Sequence, residues 1–466
     1  MKLKLLVCSS WALLFFSLSS NVPQDVRLWL TTPDRIALVA LQPRALHFSS
    51  EAGPSPVLTV DDTQHFQPID GFGFALTGGS AQLLMRMGAA QRAALLKELF
   101  TTGGSGIGVS YLRLSIGSSD MNGRVYSYDD LSAGETDVDM TKFDLGPDRA
   151  DVIPVLQEIL VMEPGIKILG SPWSAPAWMK TNQDVKGGEL KPEYYGAFAN
   201  YLVKYIEAMR AEGVTIDAIT VENEPLNPKN TPSMVVFAQE EDTFIAEHLG
   251  PAFQKAGIRT KILLYDHNPD VLSYSLSILA NPGASKYVDG TAFHLYGGDA
   301  SLLGQVHDAY PNKNLYLTEQ SVTERRSEAS LGIAEPVRRV MIGATRNWCR
   351  NVLLWNLAAD PQNGPHTNNG GCTGCSGAIT LNGDSVTKNV AYYVLEHFSQ
   401  FVPPGSVRVA SSEMEQLASV AFLTPQHKMV LVVSNTGNFE KSFAVKYQDK
   451  FFSTTLPPES VATYVW

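Results

Sequence analysis

Two short apolar runs end in acids that could work as a pair. Ile219-Thr-Val-Glu-Asn-Glu-Pro-Leu226 reads as a β-branched strand closing on Glu222 and Glu224, with Pro225 stopping it at once, and Leu315-Tyr-Leu-Thr-Glu319 has the same form. Cleaving a glycosidic bond with retention needs one carboxylic acid to protonate the leaving oxygen and one carboxylate to attack the anomeric carbon, ~5–5.5 Å apart. Their environments must push the two pKa values apart. A single glutamate at a strand end is more often a surface charge. Two, each at the C-terminal end of a strand in one barrel, are delivered to one rim.

The elements that would deliver them are legible as alternation. Apolar strand-like runs begin at Ile69, Val109, Lys167, Asp217, Lys261, Gly290, Asn314 and Asn351. Helical patterns lie between them: Tyr194, Phe198, Tyr201, Leu202, Tyr205, Ile206 and Met209 form one apolar stripe. Strand–helix alternation repeated eight times predicts an α/β fold, a (β/α)8 TIM barrel, over residues 67–400. After Pro403-Pro-Gly405 the texture becomes strands alone, among them Val420 to Leu423, Met429 to Val433, Phe443 to Tyr447 and Val461 to Trp466. Residues 401–466 are therefore expected to form a β-sandwich, completed by strand-like runs in 21–66 at Val26 to Thr31 and Ile36 to Phe48, because ~40 residues do not easily fold alone. Glu224 and Glu319 fall on the fourth and seventh barrel strands, and so can face each other across a substrate.

Composition narrows the partners. The chain has 466 residues with 36 basic and 47 acidic side chains, a net charge of −11, which argues against a nucleic-acid or anionic-membrane partner. Met1-Lys-Leu-Lys4 followed by the apolar run Leu5 to Leu18 and small residues to Ser20 reads as a secretory signal peptide, residues 1–20. That run is shorter than the ~20 residues that span a bilayer, and no later run reaches that length, so a secreted or periplasmic protein is expected. Of four cysteines, Cys8 leaves with the signal. Cys372-Thr-Gly-Cys375 is expected to be a local disulfide, since a structural zinc site wants a second pair, with Cys349 a buried free thiol. There is no Asn-x-Ser/Thr acceptor, no Gly-x-Ser-x-Gly, no His-Glu-x-x-His and no Gly-x-Gly-x-x-Gly, and no metal or organic cofactor is expected.

A set of ordered motifs goes further. Asp70-Gly-Phe-Gly73, Arg113-Leu-Ser-Ile-Gly-Ser-Ser-Asp120, Ser171-Pro-Trp-Ser-Ala-Pro-Ala-Trp178, Met179-Lys-Thr-Asn182, Glu222-Asn-Glu-Pro225, His294-Leu-Tyr296, Thr318-Glu319 and Trp355-Asn-Leu357 resemble glycoside hydrolase family 30, which includes glucosylceramidase. The resemblance implies a retaining enzyme on β-linked glucose, with Glu224 as acid/base and Glu319 as nucleophile. It also implies that Asn223 binds the sugar 2-OH, that Arg113 keeps Glu319 ionised, and that Asp120 and Trp173 grip the outer hydroxyls. His294 and Tyr296 come from the sixth strand, where Tyr296 could donate to Glu319, and Trp355 would stack on the pyranose. A bell-shaped, mildly acidic pH profile is expected.

The loop Asp360 to Cys375 resembles the endo-β-1,6-glucanase branch of that family, so a glucosyl lipid, a small β-glucoside and a β-1,6-glucan all stay open as substrates. Asp266-His-Asn268 is a second place where specificity could be written. The alternatives are a non-catalytic β-glucan-binding protein and a xylan-acting relative. Trp178 and Trp348 are expected to pack, and His248, His307, His397 and His427 to be helix or surface residues. Glu222 is expected to lie behind the site. In a regular strand Asn223 would point away from Glu224, so the chain must turn irregular there if both are to reach a sugar.

Overall fold

The computed structural model describes residues 25–323 and 330–466. The signal-peptide reading of residues 1–20 lies outside the described residues. Eight parallel strands close into a barrel: Gly71–Leu76, Tyr111–Ile116, Lys167–Pro172, Ala218–Thr220, Lys261–His267, Val288–His294, Asn314–Glu319 and Cys349–Leu354. These are the eight runs read from the sequence, and they are numbered one to eight below. The chain can close so tightly at the start because a Cβ on Gly73 would run into the Tyr111 carbonyl oxygen of the neighbouring strand. The stripe of aromatic residues forms the inner face of helix Tyr195–Ala211, with Phe198, Tyr201, Leu202 and Tyr205 buried.

Inside the barrel, Tyr111, Leu169, Ala218, Leu263, Ala292, Tyr316 and Leu353 form one packed layer. Side chains alternate in a strand, so two positions further along the same inward face carries Arg113, Ser171, Thr220, His294, Thr318 and Trp355. The apolar layer floors the barrel and the next layer is polar. Strand five alone breaks the count. Tyr265 and Asp266 both adopt left-handed backbone (φ 77° and 58°), and the pairing with strand six shifts register there. That turn packs Tyr265 against Tyr274 and brings Asp266 inward.

The β-sandwich is built from both ends of the chain. Asp25–Thr31 pairs with Val461–Val465, and a twelve-residue strand, Val57–Pro68, pairs with Val407–Ser411 and Lys441–Tyr447. Ile36 to Phe48 contributes only the two-residue strands Ala40–Leu41 and Leu46–His47. One apolar face of the C-terminal sheet, including Val420, Phe422 and Val430, joins the barrel's core. His397 is fully buried at this junction, its Nδ1 2.8 Å from Thr463 Oγ1 and its Nε2 2.8 Å from Thr31 Oγ1, so it ties the last barrel helix to both ends of the chain. Trp178 is buried with its indole N–H donated to Asp129, and Trp348 stacks on His307 at 3.6 Å. Among the described residues no helix is long and apolar enough to cross a membrane.

Candidate active site

At the C-terminal mouth of the barrel lies a cavity of about 280 Å³, lined among others by Asp120, Trp173, Asn223, Glu224, Tyr296, Glu319 and Trp355. Of the nine residues singled out in the sequence, seven face this cavity, and Arg113 and His294 lie directly beneath it in the polar layer. A larger cleft, about 490 Å³, opens at the opposite end of the barrel. Its acids are already engaged, Asp70 by Arg350 and Asp217 by the Ile168 amide, and they converge on nothing.

The two glutamates meet over one imidazole. His294 Nδ1 lies 3.2 Å from Glu224 Oε1 and 3.7 Å from Glu319 Oε1. Two oxygens sharing an atom at those distances are under ~7 Å apart, which excludes most of the ~6.5–9.5 Å spacing of inverting enzymes and admits the ~5–5.5 Å of retaining ones. Glu319 is held at both oxygens: Arg113 Nη1 donates to Oε2 at 2.6 Å and the Tyr296 hydroxyl donates to Oε1 at 2.9 Å. Glu224 accepts at Oε2 from the side-chain amides of Asn227 (2.7 Å) and Asn230 (3.1 Å).

Strand four supplies Glu224 differently from the sequence reading. It ends at Thr220, and Glu224 sits four residues on with left-handed backbone (φ 47°), its amide donated to the Asp266 carbonyl. The Asn223 amide is donated to the Pro172 carbonyl, and its side-chain oxygen accepts from Arg113 Nη2 at 2.8 Å. Only the amide nitrogen of Asn223 is then left for a ligand. The irregular turn required for neighbouring residues to reach one cavity is present.

Asp266 is the residue the sequence reading under-weighted. It is fully buried at the centre of the polar layer. One oxygen accepts from Arg113 (2.7 Å), Thr220 (2.9 Å) and Ser171 (3.1 Å), and the other from Thr318 (2.5 Å) and His294 Nε2 (3.2 Å). Burial alone would raise its pKa, but the Arg113 charge and the His294 contact hold it far below the carboxylate range. His294 responds in kind: burial opposes its charge, yet Glu319, Asp266 and Glu224 together lift it to about 10. His294 is therefore an imidazolium donating from both nitrogens.

The glutamates follow from these charges. Burial raises Glu224, and His294 and Asn227 overcome it, drawing the carboxyl down to about 2. Glu319 is raised, chiefly by burial and also by Glu224, with His294 and Arg113 pulling against. Arg113 pulls Glu319 toward the charged form, but burial and Glu224 outweigh it. Asp120 is lifted to about 8, by burial first and then by both glutamates, and its Oδ1 is buried without a partner. A neutral acid with an unpaired oxygen at the wall of a polar cavity suits a sugar hydroxyl. Trp173 and Trp355 stand 5.5 Å apart with Arg113 4.7 Å above the Trp173 ring, which fixes both indoles.

His267 lies beside Glu224, its Nδ1 3.8 Å from Glu224 Oε1, and burial lowers its pKa. Ligand atoms of Glu224, His267 and His294 lie within 4.8 Å of one another. Both His294 nitrogens are spent on carboxylates, so the trio reads as a hydrogen-bonded cluster rather than a cation site.

Glu222 is buried behind the site, and burial raises its pKa well above the usual value against the weaker pull of Lys180 and the Met234 backbone. A folded carboxyl with a raised pKa binds more protons than the unfolded chain, so this group costs stability as pH rises above the unfolded value near 4.5. Glu222→Gln is expected to melt above wild type at pH 7–8, with the gap shrinking toward pH 4.5. A gap independent of pH in thermal melts would contradict it.

Residues 69–402 match the glycosyl hydrolase family 30 TIM-barrel domain and residues 405–464 the glycosyl hydrolase family 30 beta sandwich domain. The chain belongs to glycoside hydrolase family 30, and is a glycoside hydrolase. It is 35% identical to endo-1,6-beta-D-glucanase BGN16.3 of Trichoderma harzianum over 439 residues, 89% of this chain and 87% of that one. It is 30% identical to the lysosomal acid glucosylceramidase of Mus musculus over 444 residues, 90% and 85% of the two chains. The solved structure of the endo-beta1,6-glucanase BT3312 superposes with a TM-score of 0.87 at 33% identity, covering 95% of this chain and 99% of that one.

Proposed function

We propose that this protein hydrolyses β-1,6-linked glucan with retention of configuration. Glu319 attacks the anomeric carbon, and Glu224 protonates the leaving oxygen and then activates water. The observation that carries the reading is the shared imidazole: His294 brings both carboxylates to one anomeric centre while Arg113 and Tyr296 occupy Glu319 alone. Forming the glycosyl ester needs Glu319 charged, and a proton there would forfeit one of its two donated bonds. Burial and Glu224 nevertheless raise Glu319, while His294 overcomes burial to draw Glu224 down to about 2, so the bound sugar has to reverse that order. The proton that His294 Nδ1 donates to Glu224 Oε1 passes to Glu224 and from it to the leaving oxygen, which leaves His294 neutral and Glu224 a carboxylate ready to activate water. Asn223 donates its amide to the 2-OH, Asp120 binds an outer hydroxyl, and Trp173 and Trp355 face the ring.

The 35% likeness to a fungal endo-1,6-glucanase and the 33% likeness to BT3312 favour the polymer. The likeness to a glucosylceramidase favours a β-glucosyl lipid as the second reading. A hydrolysis panel of pustulan, gentiobiose, laminarin and glucosylceramide separates them. Pustulan should be cut to soluble oligosaccharides fastest, and preference for glucosylceramide would move the assignment to the second reading. Export follows from residues 1–20 acting as a cleaved signal. The protein recovered from outside the cell should then start near residue 21.

The pH dependence of kcat/KM should be bell-shaped. On the acid side activity falls as Glu319 takes a proton, above 4.5 because burial raises that group. On the alkaline side it falls as the His294–Glu224 pair loses its proton, a limb that burial shifts down and the surrounding carboxylates Glu319, Asp266 and Glu224 shift up. A flat profile without those two limbs would contradict the pairing.

A further inference from the structure

The wall of the sugar cavity beside Trp173 and Trp355 is not a side chain from the barrel but a disulfide. Cys372 and Cys375 are bonded to each other, both line the cavity, and both pack on the cluster of Ala75, Met121, Trp173 and Trp355. Sulfur against the indoles is a favourable contact. The loop carrying the bridge is pinned to the segments that carry Asp120 and Glu224. The Thr367 amide donates to the Asp120 carbonyl (2.8 Å), the Thr367 hydroxyl to the Thr231 carbonyl (2.6 Å), and Thr231 Oγ1 and Lys186 Nζ to the Asn369 carbonyl (2.5 and 2.7 Å). Gly370 has φ +125°, and a Cβ there would stand 2.5 Å from the Lys229 carbonyl oxygen, so the loop lies flat on the segment following Glu224.

A bridge between positions three apart closes a minimal loop and restrains the unfolded chain far less than a long-range one. Its effect is therefore local. Thr373 and Gly374, which it spans, are exposed, and the two cysteines are half-buried, so the bridge faces both the cavity and solvent. Cys349, by contrast, is fully buried, and burial keeps its thiol protonated.

We propose that the Cys372–Cys375 disulfide is a specificity-determining wall of the sugar cavity, continuing the surface of Trp173 and Trp355 on which the bound glucosyl unit rests, and that reduction opens it. The inference rests on the β-glucosidase reading above. Reduction by a dithiol passes two electrons and two protons to the bridge: the sulfur–sulfur bond breaks, Cys372 and Cys375 become thiols, and the dithiol becomes a disulfide. Freed, the Gly-rich corner loses its fixed shape, while Glu319, Arg113 and His294 stay where the barrel strands hold them and Glu224 stays anchored by its amide hydrogen bond to the Asp266 carbonyl. Contacts made equally in ground and transition states are lost, which raises KM and leaves kcat.

The experiment compares kcat and KM on p-nitrophenyl β-glucoside and on pustulan for the oxidised protein, the same protein reduced with dithiothreitol, and the double variant Cys372→Ala with Cys375→Ala. Alkylation and mass spectrometry should count two new thiols on reduction. KM should rise roughly tenfold, the low end of what a lost contact in such a pocket costs, with kcat within about twofold. Reoxidation should restore KM, and the double variant should match the reduced protein and ignore dithiothreitol. If the variant does not fold, the reversible reduction of wild type stands in its place. Unchanged KM with two thiols counted overturns the proposal, as does a fall in kcat alone. No turnover by the oxidised protein on either substrate overturns the β-glucosidase reading itself and the inference with it, so the two failures are distinguishable.

Discussion

Replacing Glu319 by glutamine should lower kcat on every β-glucoside by on the order of 10⁴-fold or more, about 5.5 kcal/mol of lost transition-state stabilisation. Glutamine keeps the shape and still accepts from Arg113 Nη1, which reaches Glu319 Oε2 at 2.6 Å in the native protein. What it lacks is the lone pair of a charged oxygen able to form the ester. Binding should survive, because Asp120, Asn223, Trp173 and Trp355 are untouched, so KM or a ligand-induced melting shift should move little. Steady-state kinetics within tenfold of wild type would remove Glu319 from the role.

Replacing Glu224 by alanine should act selectively. General acid–base help is worth ~10²–10⁴-fold, and it is needed most where the leaving group is poor. The variant should still be glycosylated by aryl glucosides with good leaving groups, then stall, because nothing activates water. Azide, small and needing no deprotonation, should fill the space and restore turnover, giving a β-glycosyl azide. The alkaline limb of the pH profile should weaken as well, since the proton shared with His294 has lost its partner at Oε1. An α-glycosyl azide would mean that the two glutamates have exchanged roles.

The barrel was legible because its strands are buried on both faces and its helices on one, so each carries its own periodicity. Arg113, His294 and Trp355 stand out through the family motifs, and the alternation of side chains above the apolar floor explains why the barrel turns them inward. That alternation misplaces Asp266. Counted from Leu263 it puts Tyr265 inward, and only the left-handed backbone at both residues exchanges them. Nothing in Lys261-Ile-Leu-Leu-Tyr-Asp266 announces a positive φ at a tyrosine. Glu224 was found for its type and the proline after it, although the strand it was assigned to stops short at Thr220. Val57–Pro68 was missed because half its residues are polar and partly exposed, and its partners Val407–Ser411 and Lys441–Tyr447 are more than 300 residues away in the chain. The spacing of Cys372 and Cys375 announced a bridge, but that it lies against Trp173 and Trp355 depends on where the loop lands.

The claim beneath the mechanism is that Glu319 becomes covalently bound to the sugar. Incubation with a 2-deoxy-2-fluoro-β-glucoside carrying a good leaving group slows breakdown of such an intermediate enough to trap it. Peptide mass spectrometry should then find one fluoroglucosyl unit on the peptide containing Glu319 and none on the peptide containing Glu224. A label on Glu224, or an unlabelled protein that inverts the anomeric configuration of its product, would contradict the account.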